Sequence, residues 1–184
     1  MGFIPKVDIM TSMDSKTYNS RHMGRQGAHI MGPRDALILA ALGLAGECAE
    51  VRAVVRAADQ GGSRDPAALA DELGDVLWYA TLGCQALGVD FRSGNDSPGG
   101  QASLSAEIDD LRQGAGHFAD MVKKVAYHGK PLDLPALAAV LAGIFRSLAG
   151  AADCIGQTMG ELRAANDAKL TARWPDGFRR EDEL

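Results

Sequence analysis

Two pairs of carboxylates, placed symmetrically on either side of a glycine turn, constrain this chain more than any other feature of its sequence. The pairs are Glu47 with Glu50 and Glu72 with Asp75. Residues three apart lie on nearly the same face of an α-helix, so each pair points in one direction. Glu50 and Glu72 are both eleven residues from Gly61, and the other two are both fourteen from it. An antiparallel helical hairpin that turns at Gly61 therefore brings all four carboxylates to one level.

The residues beside these pairs are mostly apolar, which predicts that the acidic face lies at least partly inside the protein. Four carboxylates that converge in an apolar cleft cannot all stay ionised without a cation. Carboxylate oxygens suit Mg²⁺ and Mn²⁺, so the pattern predicts a hard-metal site formed by all four. A solvated acidic face is the alternative. It would be expected to carry basic partners at helical spacing, and only Arg52 and Arg56 stand near the first pair.

Three motifs carry a resemblance to a known family. The stretches L-G-L-A-G-E-C-A-E-V and D-E-L-G-D-V-L-W-Y resemble the E-x-x-E and E-x-x-D signature of MazG-type all-α nucleoside triphosphate pyrophosphohydrolases. Residues 166–178, N-D-A-K-L-T-A-R-W-P-D-G-F, resemble the terminus of the phage and bacterial branch. Two positions depart from the pattern: Gly46 stands where many relatives have a further glutamate, and Trp174 replaces a tyrosine.

The resemblance implies an enzyme that hydrolyses ordinary or deoxy nucleoside triphosphates between the α and β phosphorus, giving a monophosphate and pyrophosphate. It implies Mg²⁺ as cofactor, with Mn²⁺ as a substitute. The implied metal ligands are Glu47, Glu50, Glu72 and Asp75, and the first two are the candidates for activating the attacking water. The implied substrate-binding residues are Asn166, Lys169 and Arg173. The alternative that Lys169 and Arg173 only cap a helix C-terminus stays open.

Composition restricts the partners. A net charge of −5 argues against a nucleic-acid polymer as ligand, because binding one calls for a basic surface. The three cysteines form no C-x-x-C and are typical of buried thiols in a reducing cytoplasm. No membrane-spanning segment is expected: an apolar run such as Ala36–Gly46 has about half of the ~20 residues required. The expected partner is a small-molecule nucleoside triphosphate, and the expected location is cytoplasmic.

The order of helix signals predicts an all-α fold, with a four-helix-bundle-type core made from two tandem helical hairpins plus a short C-terminal helix. Residues 1–33 show little periodicity and are predicted to be an N-terminal arm, disordered or artificial in origin. Residues 34–178 are predicted to be one pyrophosphohydrolase-like domain, and residues 179–184 a charged tail. Within the domain we predict a catalytic hairpin at 34–91, a linker at 92–102, and a degenerate hairpin with the C-terminal helix at 103–178.

The second hairpin resembles the first as a weak internal repeat. Residues 45–56 can be aligned with residues 115–126, and residues 69–78 with residues 137–146. The four carboxylates then fall on His117, Asp120, Val140 and Gly143, so the second copy has lost most of its ligands. One chain can therefore supply both halves of a bundle. Either a homodimer or a monomer with an internal pseudo-twofold axis fits this pattern.

Two other functions remain open from the sequence. One is a regulatory module that binds a nucleotide or metal without turnover, which the glycine before Glu47 and the degenerate second half would favour. The other is a purely structural helical bundle that assembles with a partner.

Overall fold

A computed structural model describes residues 13–25, 32–61, 65–89 and 102–175 of the chain. These residues form six helices and no strand, which confirms the all-α class. The helices are α1 (Ser15–Arg25), α2 (Pro33–Asp59), α3 (Pro66–Leu87), α4 (Leu104–His128), α5 (Leu134–Cys154) and α6 (Met159–Arg173).

Local capping explains where several of these helices begin and end. The Asp65 side chain accepts a hydrogen bond from the Ala67 amide at 2.9 Å, and Pro66 occupies the first turn of α3. Ser103 caps α4 in the same way. Gly88 and Gly129 follow α3 and α4 with φ of 67° and 64°, a left-handed conformation that favours glycine. These signals are local, so each can be read from a few neighbouring residues of the sequence.

Two antiparallel hairpins, α2–α3 and α4–α5, form the four-helix core. Helix α2 packs on α4 and α3 packs on α5, so the hairpins close on each other. The core of the bundle is made of fully buried residues, which include Leu44, Val51, Leu69, Leu73, Val76, Phe118, Leu137, Leu141, Ile144 and Leu148. Helix α6 then lies on α3, which places it beside the second acidic pair.

Helix α5 is long and apolar enough, by length and composition alone, to cross a membrane. Half of its most apolar window is buried inside the protein, where it packs on α3 and α4. A core helix of a soluble protein passes the same test, so the feature is weak evidence for a membrane. The expectation that no segment spans a membrane stays a prediction.

Residues 15–25 lie within the segment that the sequence predicts to be an N-terminal arm. These residues form α1, which packs on α6 and α3. Tyr18 is 2% exposed, and the Arg21 guanidinium forms an ion pair with Asp167 at 2.6 Å. The helix is mostly polar, with only Tyr18 and His22 buried among its described side chains. Because it has no apolar stripe, its sequence carries no strong helix signal.

Several predicted segments lie outside the described residues. They are residues 1–12 and 26–31 of the arm, most of the 92–102 linker, residues 176–178 of the terminal motif and the 179–184 tail. The domain boundaries therefore stay predictions.

Truncation of a buried leucine should destabilise the protein much more than truncation of an exposed leucine. Leu141→Ala should lower the free energy of unfolding by about 2–5 kcal/mol, because Leu141 is fully buried between the hairpins. Leu42→Ala is the matched control, since Leu42 is 67% exposed, and it should change the unfolding free energy by less than about 0.5 kcal/mol. Urea denaturation measures both. Equal effects of the two substitutions would contradict the described packing.

Candidate metal centre

Helices α2 and α3 bring three glutamates together at one level of the bundle. Glu47, Glu50 and Glu72 each offer a carboxylate oxygen, and these three oxygens lie within 4.8 Å of one another. Glu47 and Glu72 are half-buried, whereas Glu50 is exposed. The cluster therefore lies at the mouth of the cleft between the two helices, with the core below it and solvent above it.

The electrostatics of the cluster are those of like charges held close together. Burial raises the pKa of Glu47 from its ordinary 4.5 to about 7, and the charges of Asp75, Glu50 and Glu72 add to this shift. The pKa of Glu72 is also raised, mainly by burial and next by the charge of Glu50. Within the described ranges, none of the three clustered glutamates forms an ion pair with a lysine or arginine. The charge of Lys169 offsets this repulsion only in part, so the cluster has an excess negative charge that a cation would stabilise.

The chemistry of the available donors fits a hard cation. The three grouped ligands are all carboxylate oxygens, the type that Mg²⁺ and Mn²⁺ take. Cys48 stands next to Glu47 in sequence, but it is buried and its thiol lies 3.8 Å from the Leu111 carbonyl oxygen. Burial raises the pKa of this thiol to about 12, so it does not supply a thiolate to the cluster. The residues present therefore fit Mg²⁺ better than a soft metal.

Asp75, the fourth predicted ligand, lies beside the cluster but is bound by helix α6. One of its oxygens accepts a hydrogen bond from Asn166 Nδ2 at 3.1 Å, and the other accepts one from Lys169 Nζ at 2.7 Å. Asp75 is not among the three residues whose oxygens group within 4.8 Å, although its charge acts on Glu47. The structure thus groups three of the four predicted ligands and places the fourth next to them.

The three predicted substrate-binding residues have different positions. Asn166 is 2% exposed and contacts Asp75, and the half-buried Lys169 bridges Asp75 and Asp71, the latter at 2.9 Å. Arg173 is exposed at the end of α6, with its guanidinium 4.6 Å from the centre of the Trp174 ring. The structure therefore brings Asn166 and Lys169 to the acidic site, and it places Arg173 on Trp174 instead.

Two residues at this site were missed by the sequence analysis. Asp71 lies one helical turn before Asp75, so its spacing could have shown that it shares a face with the predicted ligands. Tyr18 donates a hydrogen bond to Asn166 at 2.6 Å, across 148 residues of sequence. No local signal points to this contact.

The corresponding positions in the second hairpin form no comparable cluster among the described residues. Asp120 forms ion pairs with Lys123 and Lys124, each at 2.6 Å, and these hydrogen bonds lower the pKa of its carboxyl to about 2. His117, Val140 and Gly143 line a groove of about 450 Å³ between α4 and α5. The groove lies where the repeat places the counterpart of the acidic site.

The geometry of α2 and α3 agrees with a comparison to known families. Residues 38–96 match the MazG nucleotide pyrophosphohydrolase domain. The match contains both acidic pairs and the turn between them, so the resemblance to the MazG family is confirmed over these residues. Helices α1, α4, α5 and α6 lie outside the MazG match, and the assignment to a phage or bacterial branch stays a prediction. No curated protein and no solved structure shows a significant match to the chain.

The raised pKa of Glu47 predicts how stability depends on pH when no metal is present. Between pH 4.5 and about 7 the folded α2–α3 hairpin binds a proton at Glu47 that the unfolded chain has released. The folded state is therefore destabilised as pH rises from about 5 to about 8. In the presence of a metal chelator, the melting temperature of the wild type should fall as pH rises over this range. Glu47→Gln should make this fall smaller and should give a higher melting temperature than the wild type near pH 8.

Thermal melts in buffers of constant ionic strength measure this effect. Glu72 and Glu107 also have pKa values raised by burial, and they remain in both proteins, so only the difference between the two profiles reports on Glu47. Parallel pH profiles of wild type and variant would contradict the described environment of this carboxyl.

Proposed function

We propose that this protein is a Mg²⁺-dependent nucleoside triphosphate pyrophosphohydrolase that cleaves ordinary or deoxy nucleoside triphosphates between the α and β phosphorus. The observation that carries the proposal is the group of three carboxylate oxygens within 4.8 Å, in a hairpin that matches the MazG domain. Mn²⁺ is expected to replace Mg²⁺, since both take carboxylate oxygens.

The glutamates of the cluster would hold the cation, with Asp75 available at its edge. A bound divalent cation neutralises phosphate charge and lowers the pKa of a coordinated water. This role explains how an acidic cleft in a chain of net charge −5 can take a polyanionic substrate. The protein needs no broad basic surface for such a ligand.

Proton transfer is assigned to Glu47 or Glu50. A carboxyl whose pKa lies near the working pH accepts a proton efficiently, and burial moves that of Glu47 toward neutrality. In the proposed reaction the water oxygen bonds to the α phosphorus as its proton passes to the carboxylate. The bond from the α phosphorus to the bridging oxygen breaks, and pyrophosphate leaves with that oxygen.

Lys169 is the residue we propose for contact with substrate phosphates. Its ammonium lies between Asp71 and Asp75, and the Asp71 side chain is 55% exposed, compared with 27% for Asp75. The more exposed partner is weakly held, because solvent screens its charge. Lys169 can therefore exchange Asp71 for a phosphate oxygen while it keeps Asp75.

A non-catalytic nucleotide- or metal-binding module is the second candidate. It is favoured by the hydrogen bonds that hold Asp75 on α6 and by Gly46, which adds no ligand before Glu47. Turnover distinguishes the two functions, because a binding module would be stabilised by nucleotide and metal without releasing pyrophosphate.

Neutralising a clustered carboxylate should stop turnover without unfolding the protein. Glu50→Gln and Glu72→Gln should each reduce pyrophosphate release at saturating Mg²⁺ to background, and each should keep the wild-type helical circular-dichroism spectrum. Removal of one like charge should also raise the melting temperature in chelator. Asp120→Asn is the matched control from the second hairpin, and it should keep wild-type turnover because Asp120 pairs with lysines. Wild-type turnover in both glutamine variants would exclude the proposed site.

The products identify the bond that is cleaved. A panel of ordinary and deoxy nucleoside triphosphates, incubated with Mg²⁺ or Mn²⁺, should yield a monophosphate and pyrophosphate in equal amounts. Chromatography of the nucleotides, with a pyrophosphate assay run with and without inorganic pyrophosphatase, measures both products. A nucleoside diphosphate with orthophosphate would show attack at the γ phosphorus and would exclude the proposed reaction.

A further inference from the structure

Buried hydrogen bonds join the N-terminal helix to the edge of the acidic cluster. The Tyr18 hydroxyl donates to Asn166 Oδ1 at 2.6 Å, and Asn166 Nδ2 donates to Asp75 Oδ1 at 3.1 Å. Tyr18 and Asn166 are each 2% exposed. The three side chains come from α1, α6 and α3, so the connection crosses three elements of the fold.

The chemistry of the groups sets the direction of both hydrogen bonds. An ionised carboxylate can only accept, so the Asn166 amide must present its NH₂ group to Asp75. Its carbonyl oxygen then faces Tyr18, whose hydroxyl must donate. Without this hydroxyl, the carbonyl oxygen would be buried without that donor, and the amide would be free to shift away from the position in which its NH₂ group meets Asp75. Tyr18 therefore holds the amide in the one orientation that suits Asp75.

The surroundings of Asn166 match this role. A Cβ atom on Gly74 would lie 3.3 Å from both Cβ and Nδ2 of Asn166, so the glycine provides the space that the amide occupies. Lys169 binds the second oxygen of Asp75 at 2.7 Å, so both carboxylate oxygens have a donor from α6. The orientation of Asp75 relative to Glu47 is therefore set from outside the α2–α3 hairpin.

We propose that Tyr18 and Asn166 are positioning residues for the metal centre, and that α1 belongs to the functional unit although it lies outside the matched residues 38–96. The inference rests on the proposed function, because it takes the carboxylate cluster as the metal site and Asp75, at its edge, as a further ligand. Residues that hydrogen-bond to a ligating carboxylate orient it, and their loss typically weakens metal binding roughly 10–100-fold. Asn166 acts through Asp75, and Tyr18 acts through Asn166.

A second tie between α1 and α6 provides a matched control. The Arg21 guanidinium bonds Asp167 at 2.6 Å, one turn further along α1 from Tyr18. This ion pair attaches the same two helices, but Asp167 is not one of the carboxylates proposed to hold the metal. Arg21→Gln should therefore loosen the attachment of α1 without removing the hydrogen bonds that lead to Asp75.

Calorimetric titration of the full-length protein with Mn²⁺ tests the inference directly. Tyr18→Phe, which removes only the hydroxyl, should weaken Mn²⁺ binding about 10-fold. Turnover should fall at limiting Mn²⁺ and recover partly when Mn²⁺ is raised. Arg21→Gln should lower the melting temperature, but its Mn²⁺ affinity should stay within about 2-fold of wild type. The reason is that this variant keeps the hydrogen bonds from Tyr18 through Asn166 that orient Asp75. Wild-type Mn²⁺ affinity in Tyr18→Phe, or an equal loss in both variants, would overturn the inference.

Gly74→Ala perturbs the same amide from the opposite side. The added Cβ should displace Asn166 and so weaken Mn²⁺ binding. Alanine is also a better helix former than glycine. We therefore expect a lower Mn²⁺ affinity together with an unchanged or raised melting temperature. Wild-type affinity in this variant would also count against the inference. If the wild type binds Mn²⁺ but releases no pyrophosphate, the proposed activity fails while the positioning role is still decided by the affinities. Absence of Mn²⁺ binding by the wild type would overturn both.

Discussion

Repulsion among the carboxylates at the mouth of the α2–α3 cleft must be offset by the packing of the surrounding helices. Glu47, Glu50 and Glu72 are held within 4.8 Å because each is attached to a helix whose opposite face is buried. The apolar contacts below them, such as those of Leu44 and Leu73, provide the free energy that offsets the repulsion. A site of this kind is prepared for a cation because the fold, and not the metal, holds its ligands together.

Helix α6, which α1 packs against, supplies the partners of the acidic residues beside the cluster. Lys169 places one positive charge between Asp71 and Asp75. Burial by itself would lower the pKa of its ammonium, but the hydrogen bonds and charges of Asp75 and Asp71 outweigh this effect, and the pKa is raised. The start of α6 is fixed by a reciprocal capping box between Thr158 and Glu161. Local capping therefore sets where α6 begins, and the hydrogen bonds to α3 and α1 set which of its side chains meet the acidic site.

The two hairpins share a packing arrangement but differ in their polar chemistry. In the second hairpin, Asp120 is turned to Lys123 and Lys124, so its charge is already compensated. Val140 and Gly143 carry no ligand and line the α4–α5 groove. The buried leucines of α5 pack against α3, which gives the second hairpin a structural role that does not need metal ligands. A degenerate repeat remains an interpretation of this asymmetry.

The helices of the core and the three glutamates of the cluster could be predicted from the sequence. Both follow from short-range rules: caps and apolar periodicity set the helix boundaries, and mirrored spacing about Gly61 sets the common level of the ligands. The partners of Asp75, the position of Arg173 on Trp174 and the packing of α1 could not be predicted in this way and are seen only in the folded protein. Asp75 meets Lys169 across 94 residues and Asn166 meets Tyr18 across 148, separations at which neither helical spacing nor capping carries information. These contacts depend on how the helices pack against one another, because a polar helix such as α1 is held by a few buried side chains and not by a periodic apolar face.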